Sequence, residues 1–340
     1  MKPIATTGNQ RTMRARGTSL VSGSLAAALV LLPLVALADG PSATPPPAPA
    51  DAPVLKLYAD HMPHGCTDLE FAPDGRMFVT GGAAGSGVLY KVPAGGGAAV
   101  ALVDSGLYAP WGLRFGPDGD LYVADTGNPK QAHSGRIVTI PAPGQTKLFK
   151  AGLDAPTGLV FDRDGDLFVA LSRQGRVVKI AHDGTLTDYA KGIGKGASEP
   201  IGQLLLDKAG DLYATAGANI WKVAPGGGTV SKLIDGGLGE ATGLIGWTGD
   251  NFIVSTGALH ELRIASPAAG VRLLTNSTLP DPCMVGAMPN AASVSLPMGM
   301  RMYKGSAYVA DQGCRNVRSF ELPSPDKPQP TWGKLETHYK

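Results

Sequence analysis

The sequence has little charge and few aromatic residues for its length. Charged residues make up 17% of the 340 residues and aromatic residues 6%, whereas 47 glycines and 28 prolines are present. A coiled coil or a helical solenoid needs far more Ala, Glu, Lys and Leu, so both classes are excluded. The formal net charge of +2 gives no basis for a nucleic-acid-binding surface. So many turn formers in a chain that is 43% hydrophobic predict a folded protein with many short strands.

Several motifs of catalysis and cofactor binding are also missing. The chain has no G-x-S-x-G elbow, no P-loop and no Rossmann fingerprint, and its glycine-rich stretch at Gly81–Gly87 precedes no helical pattern. The three cysteines form no C-x-x-C pair, which excludes a zinc ribbon and a c-type haem site. The sequence therefore contains none of these motifs that would indicate a particular reaction or cofactor.

The first 38 residues predict a secretory signal peptide. An apolar run, Leu25–Ala38, follows a basic segment and ends in the A-x-A pattern Ala36-Leu37-Ala38. The run is about 14 residues long, too short for a membrane span of roughly 20. We therefore expect cleavage, export to the periplasm or medium, and no membrane span afterwards. Cleavage changes the formal charge from +2 to −2, because it removes four cations and no anion: Lys2, Arg11, Arg14 and Arg16.

The remaining chain divides into three parts by composition. Residues 39–53 are rich in Pro and Ala and predict an extended linker. Residues 54–322 carry internal repeats and predict a single domain, and residues 323–340 form a Pro-containing tail.

Six copies of one pattern recur along the predicted domain. The clearest copy, Pro110–Asp125, reads P-W-G-L-R-F-G-P-D-G-D-L-Y-V-A-D. The copies place a turn glycine every 39 to 56 residues, at Gly75, Gly119, Gly165, Gly210, Gly249 and Gly305. Such a period, with several short apolar segments in each unit, is typical of a β-propeller.

Each repeat predicts four antiparallel strands. An apolar inner strand meets a turn, often Pro-Asp-Gly, and is followed by a second strand, a variable loop, a third strand such as Arg176–Ile180, and a more polar fourth strand such as Leu186–Ala190. The last repeat lacks a fourth strand of its own. Val54–Tyr58 resembles one, so we predict an all-β, six-bladed β-propeller whose last blade is closed by the N-terminal strand.

The pattern P-x-G-L-x-F-x-P-D-G-D-L-Y-V-A-D resembles the NHL-repeat propellers and the wider senescence-marker-protein/gluconolactonase-like superfamily. The resemblance implies a six-bladed propeller and, for gluconolactonases, a divalent metal bound near the central channel by acids or Asn. In this sequence the corresponding positions are Thr67, Trp111, Thr157, Ile201, Thr242 and Met298. None is an acid, Asn or His, so a divalent metal is not supported by these positions.

A propeller collects its site residues on one face, where the loops that enter the inner strands meet the loops between second and third strands. Our candidate catalytic residues there are His64, Asp68 and His133. Three histidines and a carboxylate suit zinc, whereas the plainer interpretation is solvated loop histidines. The candidate ligand-binding residues on this face are Trp111, Asp125, Glu199, Glu240, His260, Asp311 and Arg315.

Two aspartates and two cysteines of this face also have structural explanations. Asp125 and Asp311 occupy the same slot, V-A-D, where an aspartate commonly accepts hydrogen bonds from its loop. Outside the cytoplasm Cys283 and Cys314 form a candidate disulfide that would fasten the long loop 276–296 to the last blade, leaving Cys66 over.

The sequence leaves two functions open. The first is an exported propeller that binds a small molecule or partner at the channel mouth of this face. If this propeller is an enzyme, we expect a lactonase- or esterase-like hydrolase. The alternative is a non-catalytic NHL-type scaffold, whose partner would be a protein on the same face. Fold resemblance does not separate the two, because propellers carry many unrelated activities.

Overall fold

The computed structural model describes residues 53–247, 249–275, 283 and 294–322. The predicted signal peptide, most of the linker and the tail lie outside these residues. The described chain forms six four-stranded antiparallel blades in a ring, which confirms the predicted fold class. Three helices are described, each a single 3-10 turn, and none is long and apolar enough to cross a membrane.

The first three blades follow one another along the chain. Blade 1 consists of β2 (Asp68–Phe71), β3 (Met77–Gly81), β4 (Gly87–Val92) and β6 (Val100–Leu107). Blade 2 consists of β7 (Pro110–Phe115), β8 (Leu121–Asp125), β9 (Gly135–Ile140) and β10 (Lys147–Leu153). Blade 3 consists of β11 (Pro156–Phe161), β12 (Leu167–Leu171), β13 (Arg176–Ile180) and β14 (Leu186–Lys191).

The other three blades complete the ring. Blade 4 consists of β15 (Ile201–Leu206), β16 (Leu212–Ala216), β17 (Asn219–Val223) and β18 (Val230–Ile234). Blade 5 consists of β19 (Ala241–Gly246), β20 (Phe252–Thr256), β21 (Glu261–Ser266) and β22 (Gly270–Leu273). Blade 6 consists of β23 (Pro297–Tyr303), β24 (Ser306–Asp311), β25 (Asn316–Glu321) and β1 (Lys56–Asp60). The 3-10 turns are at Ser172–Gln174, Gly196–Ser198 and Gly257–Leu259.

The N-terminal strand closes the ring as the repeats predicted. β1 pairs antiparallel with β25, with Lys56 opposite Ser319 and Leu57 opposite Arg318. The strand begins two residues later than the predicted Val54–Tyr58. A short strand β5 (Gly97–Ala98) adds in parallel to the end of β1. Pairing residues so far apart in sequence removes the open edge that an unfinished last blade would leave.

The turn glycines and the core explain why this sequence folds into blades. All six predicted turn glycines have φ between +52° and +89°, a region that side chains disfavour. Buried apolar side chains form clusters between neighbouring blades; one cluster, for example, joins Phe78 and Leu89 of blade 1 to Leu113 and Val123 of blade 2. The core is therefore a ring of inter-blade layers around the inner strands.

Candidate functional site

The register of the inner strands sets which residue of each blade faces the central channel. Leu113 lies opposite Val123, and the equivalent inner-strand residues are Leu69, Leu159, Leu204, Leu244 and Met300. We call the position directly before each of these the glycine slot. It is filled, in blade order, by Asp68, Gly112, Gly158, Gln203, Gly243 and Gly299.

This register corrects one of the sequence assignments. The sequence alignment put Ile201 at the position before the repeat glycine. In the structure Ile201 pairs with Ala216, as Pro110 of blade 2 pairs with Asp125, so it is the first residue of its inner strand. Gly202 therefore takes the expected metal-ligand position, and Gln203 takes the glycine slot. The alignment went wrong because blade 4 has a glycine one residue early.

Glycine fills the other four slots because the inner strands approach each other closely. A β-carbon added at Gly112 would lie 2.3 Å from the carbonyl oxygen of Thr157, and one added at Gly243 would lie 2.3 Å from that of Met298. Both distances are far inside van der Waals contact. The side chain of Asp68 occupies the space beside Gly299, where an added β-carbon would lie 2.2 Å from its Oδ1.

Asp68 belongs to a cluster of four charges, one buried and three half-buried, which we call the channel ion cluster: Asp68, Glu70, Arg114 and Arg301. The Oδ2 atom of Asp68 accepts hydrogen bonds from Arg114 Nη1 at 3.1 Å and Arg301 Nη2 at 2.9 Å. Glu70 Oε2 lies 3.2 Å from Arg301 Nε and 3.6 Å from Arg114 Nε. Two anions and two cations from blades 1, 2 and 6 thus neutralise one another inside the channel.

Burial decides the protonation behaviour of the two acids. Desolvation raises the pKa of Asp68 to about 7, with the positive charge of Arg301 as the main opposing cause. Desolvation also raises the pKa of Glu70, again opposed by Arg301. The pair therefore depends on the guanidinium groups to remain ionised.

Gln203 links the inner strands of neighbouring blades on the side of the channel away from Asp68. Its Nε2 donates to the carbonyl oxygen of Met300 at 2.9 Å, and its Oε1 accepts from the amide of Leu244 at 2.7 Å. The side chain is buried and joins the inner strands of blades 4, 5 and 6. It is a structural bridge that the sequence did not reveal.

The residues at the family's metal positions do not fit a divalent cation. The hydroxyls of Thr67, Thr157 and Thr242 donate to carbonyl oxygens of the next blade, at 3.1, 2.8 and 2.8 Å. Between them stand Trp111, Gly202 and Met298, which offer no oxygen side chain. The nearby carboxylate of Asp68 is held by two guanidinium groups, which repel a cation. Within the described ranges, no group of three or more His, Cys, Asp or Glu is arranged to hold a metal ion.

The candidate catalytic residues are separated by the fold. Asp68 is buried in the channel ion cluster, whereas His64 and His133 are exposed in loops of blades 1 and 2. None of the hydrogen bonds described for Asp68 involves a histidine. The three side chains therefore do not form one catalytic set.

Asp125 and Asp311 hold loops in place. Asp125 accepts hydrogen bonds from the amides of Tyr108 and Ala109 and from Arg136. Asp311 accepts from the amide of Ser295 at 3.0 Å and lies 3.4 Å from the guanidinium of Arg318. Each aspartate thus fixes the loop that enters its own blade, the structural alternative that their shared slot suggested.

Four other candidates lie apart around the face on which the inner strands begin, which we call the top face. Trp111 is half-buried against the core of blade 1. Glu199 pairs with Lys195 at 2.7 Å. His260 is exposed, and its Nδ1 accepts from the amide of Leu296 at 3.1 Å. Glu240 is half-buried, and desolvation raises its pKa.

One cleft of the top face brings two candidates together. His64 and Arg315 line a cavity of 320 Å³ between blades 1 and 6, together with Gln312, Pro63, Gly65 and Ala83. The guanidinium of Arg315 is exposed and has no ion pair or hydrogen bond among the described residues. The amide of His64 donates to the hydroxyl of Tyr90 at 3.2 Å, which fixes the backbone beside it. We call this cavity the top-face cleft.

Arg315 is presented by a repeated turn. It precedes the third strand of blade 6 with φ +55°, and His260 and Gly175 precede the third strands of blades 5 and 3 with φ +55° and +59°. The same left-handed turn therefore carries Gly, His or Arg in different blades. Gln312, in the same loop, was not among the candidates from the sequence, although its neighbours Asp311 and Arg315 were.

A disulfide lies beside the cleft. Cys283 is bonded to Cys314, one residue before Arg315, with 5.2 Å between their α-carbons. Cys66 is free and buried, its Sγ donates to the carbonyl oxygen of Asn316 at 3.2 Å, and burial raises the pKa of its thiol. Cys66 is thus a packed side chain, whereas the disulfide ties the cleft loop to residue 283.

Removing the disulfide will lower stability. Because the bond closes a loop over a sequence separation of 31, we expect Cys283→Ser with Cys314→Ser to cost about 2–4 kcal/mol of unfolding free energy. Urea unfolding with and without dithiothreitol measures it: the reductant should destabilise the native protein and leave the double variant unaffected. Equal stability of all four samples contradicts the prediction.

Comparisons with known proteins agree with the fold. The model of the SMP-30/gluconolactonase/LRE-like region matches residues 34–192, which confirms the resemblance seen in the repeats. An auxiliary nutrient binding protein from Bacteroides thetaiotaomicron superposes with a TM-score of 0.61 at 11% identity, covering 79% of this chain and 76% of that one. Virginiamycin B lyase from Staphylococcus aureus gives 0.53 at 13% identity, covering 79% and 99%.

These similarities establish the architecture and leave the activity to the site. Both solved structures share too little sequence with this chain to carry more than the fold. The comparison with curated protein sequences gives no significant match. The binding chemistry must therefore be argued from the channel and the cleft themselves.

Proposed function

We propose that this SMP-30/gluconolactonase-like propeller is an exported binding protein that holds a small carboxylate in its top-face cleft. The observation that carries the proposal is Arg315. Its guanidinium lines the cleft with no carboxylate of the described chain to neutralise it. An arginine in that state is well suited to a planar anion, because it donates two parallel hydrogen bonds.

The surroundings of Arg315 supply further polar groups. The imidazole of His64 and the side-chain amide of Gln312 line the same cavity and can both hydrogen-bond a carboxylate or a neighbouring hydroxyl. The cavity of 320 Å³ is at the lower end of the range for small-molecule sites. Its chemistry suits a compact polar anion.

The channel argues against a metal-dependent lactonase. The positions that would hold the family's cation donate hydrogen bonds to backbone carbonyls or carry no oxygen, and Asp68 is committed to Arg114 and Arg301. A ligand is therefore bound at the cleft between blades 1 and 6 and not at a channel metal. The similarity in fold to a nutrient binding protein is consistent with binding as the main activity.

Export is part of the proposal. The predicted signal peptide at residues 1–38 directs the chain out of the cytoplasm, and the Cys283–Cys314 disulfide suits an oxidising compartment. Edman sequencing of protein from the periplasm or medium of the producing cells should begin at Asp39. A full-length chain retained in the cytoplasm would contradict export.

Titration with gluconate and its neutral lactone tests the cleft. We expect gluconate to bind and glucono-δ-lactone not to bind measurably, because only the former carries the charge that Arg315 recognises. Arg315→Gly should weaken gluconate binding at least about tenfold, since a charged hydrogen bond contributes about 1.5–3 kcal/mol. Glycine suits the left-handed turn, so the variant should fold normally. Isothermal titration calorimetry measures both ligands.

Matched variants separate the cleft from the rest of the top face. His260→Gly changes the same turn in blade 5 and should leave gluconate binding unchanged, whereas Arg315→Lys should retain part of it. Binding that survives Arg315→Gly contradicts the proposed site. Hydrolysis of glucono-δ-lactone that is lost with EDTA and restored by a divalent metal would overturn the proposed function.

A further inference from the structure

The top-face cleft continues into a second cavity toward the outer edge of blade 6. This second cavity has a volume of 530 Å³ and shares Pro63 and Arg315 with the cleft. Its remaining lining residues are Leu57, Asp60, His61, Met62, Cys314 and Asn316. The two cavities thus form one groove, with Arg315 at the junction.

The polar side chains of the outer cavity are already engaged by their neighbours. Asp60 Oδ1 lies 2.5 Å from His61 Nδ1, and the Oδ1 of Asn316 accepts from Arg318 Nε at 3.4 Å. Cys314 is bonded to Cys283 and offers a disulfide sulfur, which is apolar. An occupant can therefore contact the apolar side chains of Leu57 and Pro63, the guanidinium of Arg315, and the exposed remaining polar atoms of Asp60 and His61.

Leu57 forms the exposed apolar wall of this cavity. Its side chain is 43% exposed on β1, the strand that closes the ring. Few large apolar side chains of the described chain are so exposed, and Leu57 is the one that lines a cavity beside an unpaired cation. A single exposed leucine is common on protein surfaces, so what matters here is its place in a cavity that also holds Arg315.

We infer that the natural ligand is an amphipathic carboxylate, with its anionic head on Arg315 and a short acyl chain against Leu57 and Pro63. The inference rests on the proposed function, because it places the carboxylate at the same arginine. It adds the ligand class: a saturated monocarboxylate of about eight carbons in place of a fully polar acid. Asp60 shares this cavity, and its Oδ1 is hydrogen-bonded to His61 Nδ1.

The dependence of affinity on chain length tests the inference with the unmodified protein. Octanoate should bind at least about tenfold more tightly than butyrate, because each fully buried methylene contributes about 0.8 kcal/mol, or roughly fourfold in affinity. 1-Octanol should bind far more weakly than octanoate, since it lacks the charge. Isothermal titration calorimetry of the mature chain with the three probes gives the comparison.

Two leucine variants locate the acyl chain. Leu57→Ser should weaken octanoate binding several-fold and leave butyrate binding unchanged. Leu148→Ser is the matched control, because Leu148 is 57% exposed on β10 of blade 2 and does not line the groove. It should change neither affinity.

The outcomes distinguish failure of this inference from failure of the proposed function. Equal affinity for octanoate and butyrate, with both lost in Arg315→Gly, overturns the acyl site and leaves the carboxylate site standing. Octanol binding as tight as octanoate binding overturns the role of Arg315 as the head-group site. Affinities for all carboxylates that do not change in Arg315→Gly overturn both.

Discussion

Gly243→Ala will lower the free energy of unfolding by about 3 kcal/mol or more, among the largest single effects expected in this chain. A β-carbon there would lie 2.3 Å from the carbonyl oxygen of Met298 in the next blade. The nearest contact is a backbone atom of the inner strand of blade 6, so its relief requires blades 5 and 6 to move apart. Such a movement would also disturb the hydrogen bonds from Thr242 and Ser255 to blade 6.

A control variant lies in the same strand. Gly246 also has an ordinary φ, but a β-carbon there would meet only Leu205 Cδ2, at 3.7 Å. Gly246→Ala should therefore be neutral or slightly stabilising, because alanine restricts the unfolded chain more than glycine. Chemical unfolding monitored by circular dichroism compares the two. Similar stabilities for the two variants would contradict the prediction that the close contact between blades 5 and 6 requires glycine at position 243.

Arg301→Met will destabilise the native protein by about 3–5 kcal/mol at pH 8, because it leaves Asp68 and Glu70 buried with only Arg114 between them. Arg301 Nη2 lies 2.9 Å from Asp68 Oδ2, and its Nε lies 3.2 Å from Glu70 Oε2. The exposed pair Arg76–Asp74 gives the control: Arg76→Met should leave the stability nearly unchanged, because solvent screens this pair.

The cost of Arg301→Met will shrink as the pH falls. Desolvation raises the pKa of Asp68 to about 7 and also raises that of Glu70, so the native state holds protons more tightly than the unfolded chain. Stability from this proton binding is full below about pH 4 and is lost as the pH rises through about 7. Removing Arg301 takes away the main opposing charge and moves both pKa values further up.

Urea unfolding at pH 5 and pH 8 measures this dependence. The difference in unfolding free energy between the native protein and Arg301→Met should be smaller at pH 5 than at pH 8, because a protonated Asp68 needs no cation. A difference that is the same at both values, or larger at pH 5, contradicts the role assigned to the channel ion cluster.

Local sequence specified most of the fold. The third strand predicted at Arg176–Ile180 is observed with the same bounds, because short apolar patterns and turn glycines act over a few residues. The closing strand was found two residues from its predicted place. The error at Ile201 had a local cause too: the glycine of blade 4 stands one residue early, and only strand pairing revealed that Gln203 fills the glycine slot.

The candidate site was predictable only in part. His64 and Arg315 were singled out from the sequence and do line one cleft, but His133, Glu199, Glu240 and His260 lie elsewhere on the top face. Loop position indicates the face on which a side chain lies. It does not indicate which blades' loops meet in a cavity, so the top-face cleft had to be seen in three dimensions.

The sequence by itself determined the number of blades, their strands and the closure of the ring, since each repeat contains its own turns and apolar faces. Tertiary structure alone decided what fills the channel and where a ligand can bind. Asp68 bonds to Arg301 across 233 residues of sequence, and His64 and Arg315, far apart in the chain, line one cavity. Residues so far apart in sequence come together because ring closure places the first and last repeats side by side. No local sequence pattern encodes the charge cluster and the cavities that form there.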